Sequence, residues 1–183
     1  MNKVLHTTLL LIGTILLSGC ANKVHDYSVS TENLIALKSL AKAAKPVNLG
    51  KFTDSAKGER SLMCRLATPV GTPQGETFAS YIQNALKKEL IITDMYNPNA
   101  KNTITANLND IYGSTVLGNA YWSFDITMKS SNGKSYRVKS QYDYESSYLA
   151  SSACSEMQRS FPLAVQKLIG EIIKNPHFAE LTK

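Results

Sequence analysis

The positions of apolar residues along the chain predict alternating helices and strands. Apolar residues recur at intervals of three and four, which is typical of amphipathic helices, in the segments 31–44, 77–91 and 151–174. Apolar and polar residues alternate, as in half-buried strands, in runs that begin at Ile104, Trp122 and Tyr136. A further strand is expected at 47–53. The predicted order is helix, strand, helix, three strands, helix.

The connections between these elements predict how the strands pair. Asn132-Gly133 separates the second and third alternating runs, and this dipeptide is a strong hairpin signal. The segment 113–118 is expected to be a loop, and Pro162 should kink the last helix or break it near Ser160. We therefore expect an α+β fold: a two-layer sandwich with a mainly antiparallel sheet of about four strands and two long helices on one face.

The N-terminal segment has the pattern of a secretory signal peptide. Lys3 precedes an uncharged apolar run, 7–17, which is shorter than the roughly 20 residues that span a bilayer. The run ends in LSGC at 17–20, which resembles the bacterial lipobox. The resemblance implies cleavage before Cys20 and attachment of lipid to this cysteine. The alternative is a buried cysteine that follows an ordinary signal peptide.

These features predict three parts of the chain: a signal peptide at 1–19, a lipidated polar tether at 20–30, and one periplasmic domain at 31–183. The length fits a single domain with a substantial core. Residue 21 is alanine rather than aspartate. By resemblance to the enterobacterial sorting rule, this favours a lipid-anchored position on the periplasmic face of the outer membrane.

Cys64 and Cys154 remain once Cys20 is assigned to lipid. An even number of cysteines in an oxidising compartment predicts a disulfide between them. The alternative is two separate buried thiols.

The chain is mildly basic, with a formal net charge of +6. Such a charge suits contact with anionic headgroups, or it serves solubility alone. Lys38, Lys42 and Lys45 are spaced by four and three residues and form a candidate contact with an anionic membrane surface, unless they are simply a solvated helix face. No basic run is interleaved with aromatic residues, so a nucleic-acid partner is not expected.

The sequence offers no matched set of catalytic residues. Beyond the signal peptide it has two histidines, His25 and His177, and no Gly-x-Ser-x-Gly motif. Metal ligands at useful spacing are also missing from the sequence. We therefore expect no enzyme activity, no cofactor and no metal.

Tyrosine is abundant in the strand region and suits binding surfaces, because it is large, rigid and amphipathic. Alternation places three tyrosines toward the core, namely Tyr136, Tyr142 and Tyr144. Four other residues are candidates for contact with a partner because they lie in loops or at strand ends: Tyr112, Val116, Leu117 and Tyr148. The alternative for 112–118 is an ordinary hairpin loop.

Several local features resemble small outer-membrane lipoproteins of Gram-negative bacteria, among them Cys64-Arg65, the segment 130–135 (SSNGKS) and the segment 142–147 (YDYESS). The layout is also similar to YajG-type lipoproteins and, more loosely, to auxiliary lipoproteins of ABC-type transport systems, which have a sheet with two helices on one face. This resemblance implies an anchored envelope protein and no particular activity.

The function expected from these observations is a non-enzymatic envelope lipoprotein that binds or assists a protein partner in the outer membrane or periplasm. The alternative is a periplasmic carrier of a small ligand such as a lipid or a cell-wall fragment. A deep apolar pocket between sheet and helices would favour the carrier, and an exposed tyrosine-bearing loop would favour the partner.

Overall fold

The computed structural model describes residues 22–23, 25–55, 58–66 and 68–183. The proposed signal peptide and Cys20 lie outside these ranges. In chain order the elements are β1 (Asn22–Lys23), α1 (Thr31–Leu40), β2 (Asn48–Asp54), β3 (Ser61–Cys64), β4 (Thr68–Gly71), α2 (Phe78–Ile92), β5 (Thr103–Val116), β6 (Asn119–Ser130), β7 (Ser135–Tyr144), α3 (Ala150–Lys174) and α4 (Phe178–Leu181), and a 3₁₀ turn lies at Pro73–Gly75.

The main sheet has the order β2-β5-β6-β7. The meander β5-β6-β7 is antiparallel, as predicted, whereas β2 lies parallel to β5 at the edge. Strand β2 returns to β5 through α2, the crossover helix that a parallel neighbour requires. The α+β class, the four-stranded sheet and the two long helices that pack on it are confirmed.

The core lies between this sheet and helices α2 and α3. Every second residue of β6 is buried, because alternate side chains of a strand point to the same face. Trp122 is fully buried, and its ring centroid lies 4.8 Å from that of Phe161 on α3. Phe78 of α2 lies 5.3 Å from Phe161, so that one aromatic cluster joins both layers.

Helix α3 continues through Pro162, and the expected break near Ser160 is wrong. Proline has no N–H to donate to the helix ladder and its ring crowds the carbonyl of the preceding turn, but Pro162 is buried with its neighbours Phe161 and Val165 against the core. Packing therefore outweighs the missing hydrogen bond.

Within the described ranges no helix combines the length and the apolar character needed to cross a membrane.

The expected loop at 113–118 is also wrong, because β5 continues to Val116 and only Leu117-Gly118 form the turn. Gly113 faces α3, where a Cβ atom would lie 2.3 Å from the Met157 Cε atom and 3.2 Å from the Trp122 ring. Glycine is therefore a strand residue here, and its small size lets α3 approach the sheet closely.

A small second sheet, β1-β4-β3, lies beside the main one and is missing from the predicted order of elements. Cys64 ends β3, and Cys154 lies in the first turns of α3 with its Cα atom 5.8 Å from that of Cys64. The two cysteines are at disulfide distance, so the predicted pairing is confirmed. The bond ties the small sheet to the start of α3.

The segment that precedes α1 is attached to the domain rather than free. Tyr27 is only 7% exposed, and its hydroxyl donates a hydrogen bond to the Oε1 atom of Glu89, a fully buried residue of α2. The same oxygen accepts from the Ser30 backbone N–H and from the Asn33 side-chain amide, each at 3.2 Å. The prediction of a tether over 20–30 is therefore wrong from Tyr27 onward.

The Glu89 carboxyl predicts a distinctive pH dependence of stability. Burial raises its pKa, and the hydrogen bonds from Tyr27, Ser30 and Asn33 offset this only in part. A raised pKa in the folded state means that Glu89 contributes most stability below its unfolded pKa and that this contribution is lost as the pH rises through the folded value. We expect the wild type to lose stability relative to Glu89→Gln as the pH rises from about 4 to 7.

Urea unfolding of both proteins across this pH range measures the difference, and titrations that the two proteins share cancel in it. Parallel pH profiles, or a wild type that gains on the variant with rising pH, would contradict this account of Glu89.

Candidate contact surface

Exposed apolar side chains gather at one end of the molecule, where three connections meet. These connections are the β3–β4 turn, the β5–β6 turn and the segment between β7 and α3. They present five residues that are each between 59% and 95% exposed and that we call the apolar tip: Leu66, Val116, Leu117, Tyr148 and Leu149. Exposed apolar side chains that lie together are candidates for a contact surface.

Arg65 holds the three connections together. Its Nη2 atom donates to the carbonyl oxygens of Ser147 at 2.7 Å and Thr115 at 3.0 Å. Its Nη1 atom donates to the carbonyl of Tyr148 at 2.8 Å. The planar, five-donor guanidinium suits this task, since it reaches several acceptors in a fixed geometry. The guanidinium of the β3–β4 turn therefore binds carbonyl groups of the other two connections.

Further hydrogen bonds fix the same region. The Ser146 hydroxyl donates to the Thr115 carbonyl at 3.0 Å, and the Tyr144 hydroxyl donates to the Ser114 carbonyl at 2.7 Å. Burial raises the pKa of Tyr144, so its hydroxyl stays protonated and remains a donor. The Cys64–Cys154 pair adjoins Arg65 in the chain. These hydrogen bonds and the disulfide thus hold the connections of the apolar tip in a fixed conformation.

The β3–β4 turn carries two residues in the left-handed backbone region: φ is +48° at Arg65 and +57° at Leu66. Such a conformation costs about 1–3 kcal/mol for each residue that is not glycine, and it persists where the surroundings impose it. Here it points the Arg65 side chain inward to the carbonyls and leaves Leu66 95% exposed.

The structure brings together three of the four predicted contact residues: Val116, Leu117 and Tyr148. Tyr112 lies apart, on the open face of the sheet, where its ring centroid is 5.9 Å from that of Tyr121. It precedes Val116 by four residues, roughly 13 Å along a strand. Leu66 and Leu149 were missed; Leu149 follows Tyr148 in an uncharged segment, 146–155, which could have indicated it.

The three tyrosines predicted to face the core do pack against it, and each is half-buried: Tyr136, Tyr142 and Tyr144. The Tyr136 hydroxyl donates to the Ile172 carbonyl of α3 at 2.8 Å. These tyrosines are therefore part of the contact between sheet and helix.

The three lysines predicted to form a stripe lie at the other end of the molecule. Helix α1 ends at Leu40, so only Lys38 is helical, while Lys42 and Lys45 follow it; all three are exposed. The chain then enters β2, where Asn48 lies opposite Thr103 at the start of β5. The apolar tip is at the far end of this 14-residue strand, roughly 40 Å away. The contact of these lysines with an anionic membrane surface stays a prediction.

Two open grooves of about 500 and 450 Å³ lie on the surface of the described part of the chain. The first includes Arg60, Glu76 and Lys88, and the second includes Glu32 and Lys174. Both have charged linings. Among the described residues no group of three or more His, Cys, Asp or Glu side chains is placed to hold a metal ion.

Comparison of the chain with protein-family models and with curated protein sequences gives no match. The features of the protein that bear on its function are therefore the geometry of the apolar tip and the N-terminal sequence.

Substitution of Arg65 should loosen the apolar tip. A hydrogen bond from a charged donor contributes about 1.5–3 kcal/mol when its loss leaves a buried acceptor unpaired. Because the tip is partly exposed, we expect Arg65→Ala to lower the free energy of unfolding by about 2 kcal/mol in total. Arg65→Lys should rescue only part of this, since an ammonium group lacks the planar fork. Hydrogen exchange should accelerate in 114–119 and 145–149.

Arg137→Ala is the matched control. Arg137 pairs with Asp125 on the open face of the sheet and is well exposed, so its loss should leave exchange in the tip unchanged. Unchanged exchange in Arg65→Ala, or equal effects of the two alanine variants, would show that Arg65 does not organise the tip.

Proposed function

We propose that the protein is a lipid-anchored envelope protein that acts by contact, without catalysing a reaction, and that the apolar tip is its contact surface. The observation that carries this proposal is the set of five exposed apolar side chains held around Arg65. A surface that is both apolar and fixed in shape loses little conformational freedom when it binds. The contact is made with a component of the outer membrane or the periplasm.

The proposed anchor is a lipid on Cys20. Its support is the sequence: an apolar run without charge at 7–17, followed by the lipobox-like LSGC at 17–20. Ala21 favours the outer membrane, and the domain then lies on its periplasmic face. Two or three acyl chains on one residue hold a protein stably at a bilayer.

The packing of the core favours a contact protein over a carrier of lipid or cell-wall fragments. A carrier needs an apolar pocket that encloses most of its ligand. The aromatic cluster of Phe78, Trp122 and Phe161 fills the space between sheet and helices, and all three rings are at most 1% exposed. The two larger grooves have charged rims on the surface.

A photo-crosslinking residue at Leu117 in intact cells tests the proposal. We expect illumination to modify the tip peptide, because the anchor holds the tip against an envelope component. The same residue at Lys42, at the opposite end of the molecule, is the control and should give little adduct. In a Cys20→Ala background the protein should leave the membrane fraction and the Leu117 adduct should fall several-fold, as expected when an anchor no longer concentrates the contact.

Mass spectrometry of the digested protein measures the modified fraction. A tip peptide that stays unmodified while the protein remains in the membrane fraction would refute the contact role of the tip. A Cys20→Ala protein that remains in the membrane fraction would refute the lipid anchor.

A further inference from the structure

The direction of β1 places the proposed anchor at the same end of the molecule as the apolar tip. Strand β1 lies parallel to β4, with Asn22 opposite Val70 and Lys23 opposite Gly71. The start of β1 therefore lies toward the start of β4, which is where the β3–β4 turn with Leu66 joins it. The chain enters the domain from the side of the tip.

Chain geometry limits how far Cys20 can lie from this turn. Two residues span at most about 7 Å, so the Cα atom of Cys20 lies within that distance of Asn22. Asn22 pairs with Val70 across neighbouring strands, roughly 5 Å apart, and Val70 follows Leu66 by four residues. Asn22 is thus within about 20 Å of Leu66, and in the sequence it follows the proposed anchor by only two residues, whereas the three lysines precede β2 near the opposite end of β5.

The end that carries the apolar tip and the end that carries the lysines also differ in their charged side chains. The segments 114–121 and 146–155, which supply four of the five tip residues, contain no charged side chain. The β3–β4 turn adds one charge, that of Arg65, and its guanidinium is occupied by backbone carbonyls. An apolar, tyrosine-bearing surface of this kind suits the boundary between headgroups and acyl chains, and side chains without charge can reach the acyl chains, where charged groups are disfavoured.

We propose that the partner of the apolar tip is the bilayer that holds the anchor, so that Leu66, Leu117 and Tyr148 enter its interfacial layer and the domain stands with its lysine-bearing end away from the membrane. This inference rests on the proposed function, because it takes Cys20 as the anchor. It departs from the sequence-based prediction, which placed Lys38, Lys42 and Lys45 at the membrane. A protein partner at the tip is the competing outcome.

Tryptophan fluorescence tests the inference on the full lipidated protein. The only native tryptophan, Trp122, is fully buried and gives a constant background. The protein is purified from membranes and reconstituted in vesicles of phosphatidylethanolamine and phosphatidylglycerol, with or without brominated acyl chains. We expect Leu117→Trp to shift its added emission to the blue and to lose about half of it to brominated lipid, as for a side chain about 5–10 Å deep. Lys42→Trp, the matched control, should show neither change.

Tyr148→Trp is the second tip variant and should behave like Leu117→Trp, which guards against a local effect at one position. If the emission of the tip tryptophans is neither shifted nor quenched while the protein still floats with the vesicles, the bilayer contact is wrong but the proposed anchor stands. A protein that does not float with the vesicles would overturn the anchor itself. If the crosslinker at Leu117 formed adducts in cells with one protein and not with lipid, that protein, and not the bilayer, would be the partner of the apolar tip.

Discussion

The apolar tip depends on the hydrogen bonds that the guanidinium of Arg65 donates to backbone carbonyls. Three connections that are far apart in the chain meet at the same place, and carbonyl groups of two of them accept hydrogen bonds from the arginine of the third. One arginine donates to Thr115, Ser147 and Tyr148, so that no connection needs a water molecule or a longer loop to satisfy these groups. The guanidinium keeps its charge, but its donors are directed to backbone carbonyls, while the side chains that the tip exposes are apolar.

Much of the fold follows from local patterns, and the sequence therefore predicted it. Helices α2 and α3 each carry one continuous apolar stripe, and the Asn132-Gly133 turn sets the pairing of β6 with β7. The end of β5 was mispredicted because Gly113 signals a loop when only its neighbours in the chain are considered. Its actual reason is Met157, which packs against it from a different layer. Arg65 likewise has no local signal, since its partners are 50 and more residues away.

The attachment of the N-terminal segment also depends on distant residues, but it leaves a trace in the sequence. Glu89 falls on the apolar face of α2, between Leu86 and Leu90, where a lone carboxylate demands partners. Tyr27 and Asn33 supply them. This contact fixes the chain from Tyr27 onward, and under the proposal above it limits how far the domain can turn relative to the proposed anchor.

The central claim is that one end of the molecule, and not the other, lies on the bilayer. Electron paramagnetic resonance with nitroxide labels at Tyr148→Cys and Lys134→Cys tests it most directly on the lipidated protein in vesicles, because Lys134 lies in the hairpin at the far end of the sheet. Collision rates with oxygen, which concentrates in the bilayer, are compared with those of a polar nickel complex, which is excluded from it. The account predicts that oxygen dominates at residue 148 and the nickel complex at residue 134. Dominance of the nickel complex at both positions, or the reverse order, would contradict it.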